Sequence, residues 1–417
     1  MSPKGIANSL LFRIIVAIIL GIAFSFFVPE WFGRIFATFN GLFSNFLNFF
    51  IPVLFFALVT PAIAGLGRGA GKWLGITVAV SYGSTIVAGL IAYSLSLLVY
   101  PVLLKGQEIG SSISDVDEGA LQPYFEFEMP APFEVMTGLL LAFCIGVGMT
   151  VVKSDNLFKV TQELENIVIK VIWSFVVPLL PIFNFGMFLS LGMNGNLTTV
   201  LSAFAKVLVL AVVMTMVYLL LQYLVAGAIS HRNPFSALKN MAPAYFTALG
   251  TSSSAATIPV TLRCALKNGI SRPVAGFIIP LCAAIHLSGS MIKLTLYAFA
   301  IVYMTGMDVS FGHALGFLLL LAIMMVAAPG VPGGAVMVAV GLLQSNMGFD
   351  DGIVALMIAA YIAIDSVGTA ANVTGDGAIA LVLDKFARKH VAELKDPEEL
   401  KEIEETEKFE VEEIVDK

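Results

Sequence analysis

Near its C-terminal end the chain carries three polar side chains whose spacing places them on one helical face. In the run Ile364-Asp-Ser-Val-Gly-Thr-Ala-Ala-Asn-Val-Thr-Gly-Asp-Gly377, residues Asp365, Asn372 and Asp376 stand at i, i+7 and i+11. Carboxylates on an otherwise apolar helix are costly in lipid unless they face the protein interior or a transport pathway. We interpret the three residues as candidates for a binding site, with a purely structural polar network as the alternative.

The composition of the 417-residue chain is that of a membrane protein. Apolar residues make up 58% of the sequence and charged residues 12%, and the mean hydropathy is +0.91. A soluble chain carries roughly 25% charged residues. The net charge of −6 comes from residues 391–417, whose twelve acids and four bases sum to −8. With no basic stripe and only three scattered cysteines, the sequence excludes nucleic-acid binding and a disulfide scaffold.

Eight apolar segments are long enough to span a bilayer, which takes about twenty residues. They cover residues 10–29, 38–65, 74–103, 132–152, 161–192, 199–229, 273–305 and 353–384. Two further apolar segments, 236–268 and 314–345, are broken near the middle by Gly250-Thr-Ser-Ser-Ser-Ala and by Ala328-Pro-Gly-Val-Pro-Gly-Gly. Irregular backbone at membrane depth must be buried by protein or line a cavity. We therefore predict an all-α polytopic membrane protein with eight transmembrane helices and two re-entrant helical hairpins forming an inverted repeat.

Three motifs occur in an order that is typical of one transporter family. Asn372-Val-Thr-Gly-Asp376 resembles the N-V-T-G-D signature of the dicarboxylate/amino acid:cation symporters, the glutamate transporter homologues. Thr251-Ser-Ser-Ser-Ala-Ala-Thr-Ile-Pro-Val-Thr261 resembles the serine-rich tip of that family's first hairpin, and Pro329-Gly-Val-Pro-Gly-Gly334 resembles its second tip. The resemblance implies that the protein is an elevator transporter and not an enzyme. It also implies a homotrimer in the inner (cytoplasmic) cell membrane. The lysine and arginine bias of short loops predicts that both termini are cytoplasmic.

The resemblance also implies a division into domains. Scaffold helices 1–2 would occupy residues 1–73 and scaffold helices 4–5 residues 132–192, with an extracellular loop at 104–131. The transport domain would contain helix 3 at 74–103, and residues 199–390 with helix 6, hairpin 1, helix 7, hairpin 2 and helix 8. Residues 391–417 would be an acidic cytoplasmic tail.

Carried over position by position, the resemblance implies a substrate site for an amino acid. Asp365 would hold the α-amino group, Asn372 the α-carboxylate, and the tip Gly330–Gly334 would act as the extracellular gate. Ser253 and Ser254 would contact the substrate near the α-carboxylate, and Ser290 replaces a substrate-facing threonine. The complete predicted substrate set is Ser253, Ser254, Ser290, Gly330, Val331, Pro332, Gly333, Asp365, Gly368, Thr369 and Asn372.

One departure from the family concerns the substrate side chain. Members that carry acidic substrates have an arginine that pairs with the side-chain carboxylate through bidentate hydrogen bonds. Here that position is Gly368. The departure predicts a neutral amino acid as the substrate, since an acidic side chain would lack its counter-charge.

A second departure concerns the coupling ion. The family motif N-M-D-G-T, which helps to coordinate sodium, reads His286-Leu-Ser-Gly-Ser290 here, with Ser288 in place of the acid. Hard cations prefer oxygen ligands. Ser84 and Thr85 retain hydroxyls of one degenerate site, and Asn372 and Asp376 retain part of another. The sequence therefore predicts weakened or lost sodium coupling and no organic cofactor, with Na⁺ or H⁺ as the possible coupling ion.

Lys293 stands seven residues after His286 in an apolar span, and the chain has no acid between Asn166 and Val302. We predict that its ammonium replaces a sodium ion and neutralises Asp376, the alternative being that it snorkels toward an interface. His286 is interpreted as a satisfied core residue. Its alternative role is a proton site, because an ordinary imidazole titrates at about pH 6.5.

Together these residues predict a secondary active transporter for neutral amino acids in the lipid bilayer. Its transport would be sodium-independent, proton-coupled or by exchange. One alternative is a sodium-coupled acidic amino acid or dicarboxylate symporter in which Lys293 supplies the positive charge. A second alternative is an anion channel.

Overall fold

The computed structural model describes residues 10–67, 71–107, 121–152, 155–193, 197–325, 328 and 333–387. Within this part of the chain every regular element is helical. The acidic tail, both chain termini and the positions Gly330, Val331 and Pro332 of the second tip lie outside the described residues. Predictions about them stay as the sequence analysis states them.

In the described residues of the N-terminal half there are six α-helices and one π-helical turn, Ile172–Val176. The helices are α1 (Leu10–Ser25), α2 (Glu30–Gly67), α3 (Gly71–Leu103), α4 (Val135–Val152), α5 (Asp155–Val171) and α6 (Val177–Met193). Helix α2 packs against α4, α5 and α6, and α1 packs against α6. Helix α3 leaves this group and packs against helices of the C-terminal half.

The C-terminal half contains ten helices in the described residues. They are α7 (Leu197–Ser230), α8 (Pro234–Asn240), α9 (Ala242–Thr251), α10 (Ser254–Lys267), α11 (Arg272–Ile285), α12 (Ser288–Thr305), α13 (Phe311–Met325), α14 (Gly334–Ser345), α15 (Asp351–Ala363) and α16 (Asp365–Ala387). Helix α16 is the centre of this half, because α7, α9, α10, α11 and α12 all pack against it.

The predicted break in the first hairpin is confirmed at Ser252 and Ser253. Ser252 adopts a left-handed conformation with φ 50° and ends α9, and Ser253 is the N-cap of α10. The Ser253 Oγ accepts a hydrogen bond from the Ala256 N–H at 3.2 Å, which satisfies one of the free donors at the start of α10. In the second hairpin α13 and α14 pack against each other, and Gly333 caps α14 with φ 75°.

Two segments that the sequence analysis treats as continuous spans are broken in the structure. Segment 273–305 unwinds at His286 and Leu287, where the Leu287 N–H donates to Thr85 Oγ1 at 3.3 Å. Segment 353–384 breaks at Ile364, and α15 and α16 meet there at a bend of 58°. Both segments stay candidate membrane spans, but their internal breaks were not predicted, and no glycine or proline stands at residues 286–287 or at 364.

The described helices are long enough and apolar enough for a membrane protein. Five spans pass by length and composition, or six if the bent pair α15–α16 is one span. The predicted count of eight spans and the inverted orientation of the hairpins stay predictions. The all-helical fold class is confirmed within the described residues.

Candidate binding site

Helices α12 and α16 make the closest backbone approach around the predicted site. A Cβ atom at Gly289 of α12 would lie 2.7 Å from the carbonyl oxygen of Gly368 in α16, so this contact requires glycine. Nearly every residue of α12 is buried, and Asp365, Asn372 and Asp376 of α16 are at most 5% exposed. The three residues predicted on one helical face therefore all lie in the protein interior.

Lys293 and Asp365 form a buried ion pair across this contact. The Lys293 Nζ lies 3.2 Å from Asp365 Oδ1, donates to the Ile364 carbonyl at 3.4 Å and stands 3.8 Å above the centre of the Tyr361 ring. The second carboxylate oxygen, Oδ2, accepts the N–H of Gly333 at 2.7 Å, which joins the base of the second hairpin tip to the same acid.

This pairing corrects two expectations about Lys293. The predicted partner, Asp376, is wrong, because the ammonium contacts Asp365 instead. Snorkelling is also wrong, since Lys293 is only 1% exposed. The predicted partner rested on treating residues 273–305 and 353–384 each as one span. The break at Ile364 makes Asp365 the first residue of α16, level with the second turn of α12.

Asn372 organises a second set of contacts one turn beyond Gly368. Its Oδ1 accepts the Gly289 N–H at 2.7 Å, and its Nδ2 donates to Ser290 Oγ at 3.3 Å. The Tyr361 hydroxyl donates to the same Ser290 oxygen at 2.8 Å. Tyr361 is thus a site residue that was not predicted, although it stands only four residues before Asp365.

His286 and Asp376 form a separate cluster at the break between α11 and α12. Nδ1 of the imidazole lies 2.9 Å from Asp376 Oδ1, both groups being buried. Two bare acceptors cannot approach so closely, and with the carboxylate ionised the donor in this contact is the imidazole N–H. The other ring nitrogen, Nε2, lies 3.2 Å from Ser84 Oγ and 3.1 Å from Gln222 Nε2.

Neighbouring helices complete this cluster. The Gln222 amide donates to Ser84 Oγ at 2.9 Å, and the Tyr218 hydroxyl donates to the Ser84 carbonyl at 2.6 Å. Gln222 and Tyr218 were not predicted, because an amide and a phenol in an apolar helix give no family motif. The predicted hydroxyl residues Ser84 and Thr85 do lie at the break.

The other predicted residues occupy different positions around the two clusters. Thr369 donates to the Asp365 carbonyl at 3.0 Å and so supports the first turn of α16. Ser288 begins α12 and is buried. Ser254 is buried at the first hairpin tip, next to the capping Ser253. In the described residues no three His, Cys, Asp or Glu side chains are grouped so as to hold a metal ion.

Broken helices that carry paired charges inside an apolar helical bundle are the architecture of a membrane transporter. The chain belongs to the sodium:dicarboxylate symporter family, whose model matches residues 10–386. It is accordingly a membrane transporter and not an enzyme.

Curated relatives match most of the chain. A serine/threonine transporter SstT of Acinetobacter baumannii (strain AYE) is 26% identical over 394 residues, which is 92% of this chain and 98% of the relative. A protein of the same name from Enterococcus faecalis is 26% identical over 392 residues, 88% of this chain and 89% of the relative. An excitatory amino acid transporter of Caenorhabditis elegans is 25% identical over 302 residues, 70% of this chain and 58% of the relative.

Proposed function

We propose that the protein is a secondary active transporter of neutral amino acids. The observation that carries this proposal is the buried pair of Lys293 and Asp365 beside Gly368. The ammonium is already matched by one carboxylate, and position 368 adds no arginine. An acidic substrate would therefore bring a second carboxylate into a site with no unmatched positive charge, which is costly in a buried environment. The relatives named serine/threonine transporters support a small neutral substrate.

We assign the substrate contacts as the family pattern suggests. Asp365 binds the α-amino group, while Asn372 and Ser290, which are hydrogen-bonded to each other, bind near the α-carboxylate. Ser253 and Ser254 approach from the first hairpin tip, and Thr369 and Gly368 line the face between. The second tip, residues 330–334, is the proposed gate. Its contact from Gly333 to Asp365 supports this role, because closing the tip then depends on the acid that binds the substrate.

The coupling to sodium is proposed to be weakened or lost. The imidazole of His286 lies 2.9 Å from Asp376 Oδ1, so one of the two carboxylate oxygens is already engaged and is not free to bind a cation. Ser288 supplies a neutral hydroxyl where the family has an acid, and carboxylates are the stronger ligands for hard cations. Exchange or proton coupling would take the place of sodium symport.

The proposed transport cycle is an elevator movement in a homotrimer of the inner membrane, with both termini cytoplasmic. The packing supports this division, since α1, α2, α4, α5 and α6 contact one another, while α3 packs with α12 in the C-terminal half. The first group is the proposed scaffold, and the helices around α16 form the proposed transport domain.

A thermal-shift screen of the purified protein with the twenty amino acids, each with and without sodium, tests the proposal. A ligand that binds the native state raises the unfolding temperature. We expect stabilisation by small neutral amino acids at equal strength in sodium and in potassium chloride. Stabilisation by aspartate or succinate that requires sodium would instead establish the acidic symporter.

Uptake into proteoliposomes tests transport itself. We expect loaded vesicles to exchange labelled serine without a sodium gradient. A response to an imposed pH gradient separates proton coupling from plain exchange. Anion currents without any concentrative or exchange uptake of amino acids would contradict the proposal in favour of a channel.

A further inference from the structure

The Lys293 ammonium lies within the proposed substrate site and not beside it. A Cβ atom at Gly368 would come within 2.5 Å of both Cε and Nζ of Lys293, so the ammonium fills the space that a side chain at 368 would need. Gly368 stands three residues after Asp365 and four residues before Asn372, on the same face of α16. The positive charge is thus located between the group assigned to the substrate amine and the group assigned to its carboxylate.

A substrate amine must therefore compete with Lys293. Both oxygens of Asp365 already accept hydrogen bonds, Oδ1 from Lys293 and Oδ2 from Gly333. A ligand ammonium that simply displaced Lys293 would leave a buried charge without a partner, which is strongly unfavourable. A ligand that also supplied a carboxylate would remove this difficulty.

We propose that a zwitterionic substrate inserts into the ion pair between Lys293 and Asp365. The substrate ammonium takes the place of Nζ at Asp365 Oδ1, and the α-carboxylate accepts a hydrogen bond from the released Lys293 ammonium. One ion pair becomes two, and the net charge of the site does not change. This inference rests on the proposed function and makes Lys293 the residue that determines selection for amino acids.

The surroundings of Lys293 suit such a movement. Its side chain is a flexible four-carbon stem with a compact charge. The face of Tyr361 at 3.8 Å supports the ammonium, and the Tyr361 hydroxyl is bonded to Ser290, which is in turn bonded to Asn372. The ring therefore connects the position that the ammonium now occupies with the residues assigned to the carboxylate.

The insertion predicts which small molecules the site rejects. An amine without a carboxylate would separate Lys293 from Asp365 but would pair only with Asp365. An acid without an amine would pair only with Lys293. Serine, ethanolamine and glycerate form a matched set, since the second lacks the carboxylate and the third carries a hydroxyl in place of the amine. We expect only serine to stabilise the unmodified protein.

Two single variants are each expected to bind one of the two ligands that the unmodified protein rejects. Lys293→Met leaves Asp365 without its ammonium, so ethanolamine is expected to bind and to raise the unfolding temperature. Asp365→Asn leaves Lys293 without its carboxylate, so glycerate is expected to bind. Serine affinity is expected to fall by roughly tenfold to a hundredfold in each, the value of one hydrogen bond to a charged group. Lys206→Met, which removes a lysine that donates to Leu103 outside this site, should leave all three ligands unchanged.

The double variant Lys293→Met/Asp365→Asn covers the case in which a single variant does not fold, because it leaves no unpaired buried charge. We expect it to bind serine at least about tenfold more weakly than the unmodified protein does, and to bind neither ethanolamine nor glycerate. Serine binding of unchanged affinity in the double variant would overturn the insertion. So would folded single variants that fail to gain ethanolamine or glycerate.

The two proposals fail in different ways. If no amino acid stabilises the unmodified protein, the proposed function is wrong, whatever the variants do. If neutral amino acids bind but the folded single variants do not gain binding of ethanolamine or glycerate, the proposed function stands and the insertion is wrong.

Discussion

The two polar clusters on α16 differ in what their partners are and in how they are enclosed. At its start, Asp365 pairs with a lysine and with the backbone of the second hairpin tip. Eleven residues later, Asp376 accepts from an imidazole that is held by Ser84 and Gln222 of two other helices. The first acid has a long, flexible partner in the Lys293 ammonium, whereas the second has a short, rigid partner in the His286 imidazole. We infer that the first cluster exchanges partners and that the second holds the break between α11 and α12 in place.

Removal of Lys293 should have the largest effect on stability. Lys293→Met leaves the Asp365 carboxylate buried without its counter-charge, and the loss is expected to be about 3–5 kcal/mol. Thermal or denaturant unfolding of the purified protein measures it. The double variant with Asp365→Asn should recover most of the loss, and equal stabilities of the single and double variants would contradict an energetic pairing.

Removal of the imidazole should cost less. His286→Ala deprives Asp376 Oδ1 of its donor, and an unsatisfied buried acceptor costs about 1–3 kcal/mol. The same unfolding experiment applies. His286→Asn is the matched control, because its amide can still donate to the carboxylate and should retain part of the stability. A loss as large as that for Lys293→Met would remove the distinction between the clusters.

The fit of the ammonium against Gly368 gives a third test. Gly368→Ala places a methyl group within 2.5 Å of Lys293 Cε and Nζ, so the ammonium must shift out of its contact with Asp365, and the weakened contact should destabilise by about 1–3 kcal/mol. Gly316→Ala in α13 is the control, since a Cβ there meets no atom within 4 Å and alanine favours a helix. If both variants behave alike in unfolding, the close approach of Lys293 to α16 is wrong.

The smallest expected effect concerns Tyr361. Tyr361→Phe keeps the ring beneath Lys293 and removes only the hydroxyl that donates to Ser290, so the stability should fall by about 0.5–1.5 kcal/mol. Serine affinity, measured by thermal shift, should weaken in parallel because Ser290 loses a donor that orients it. Tyr361→Leu, which also removes the ring face, should cost more, and identical effects would argue against the contact with the cation.

Local patterns predicted much of this architecture. The clustered small residues at 250–255 marked the first hairpin tip, because serine caps a helix start and tolerates the turn. The spacing of Asp365, Asn372 and Asp376 placed all three correctly in the interior. Gly368 was singled out as the position that lacks an arginine, whereas its contact with Lys293 came from the tertiary structure.

The partners of the charged groups could not be predicted from spacing alone. Whether Lys293 meets Asp365 or Asp376 depends on the helix breaks at 286–287 and at 364, and these breaks contain ordinary residues. They are held by distant groups, such as Thr85 accepting the Leu287 N–H, which no local pattern reveals. Gln222, Tyr218 and Tyr361 were missed for the same reason, since each acts across helices.

The glycine contact between Gly289 and Gly368 has a mechanical consequence. With Gly289 packed against the backbone of Gly368, a larger residue at 289 would push α12 and α16 apart and separate Lys293 from Asp365. The adjustable part of this contact is the side chain of Lys293, because its four-carbon stem has more rotatable bonds than any other buried side chain of the two helices.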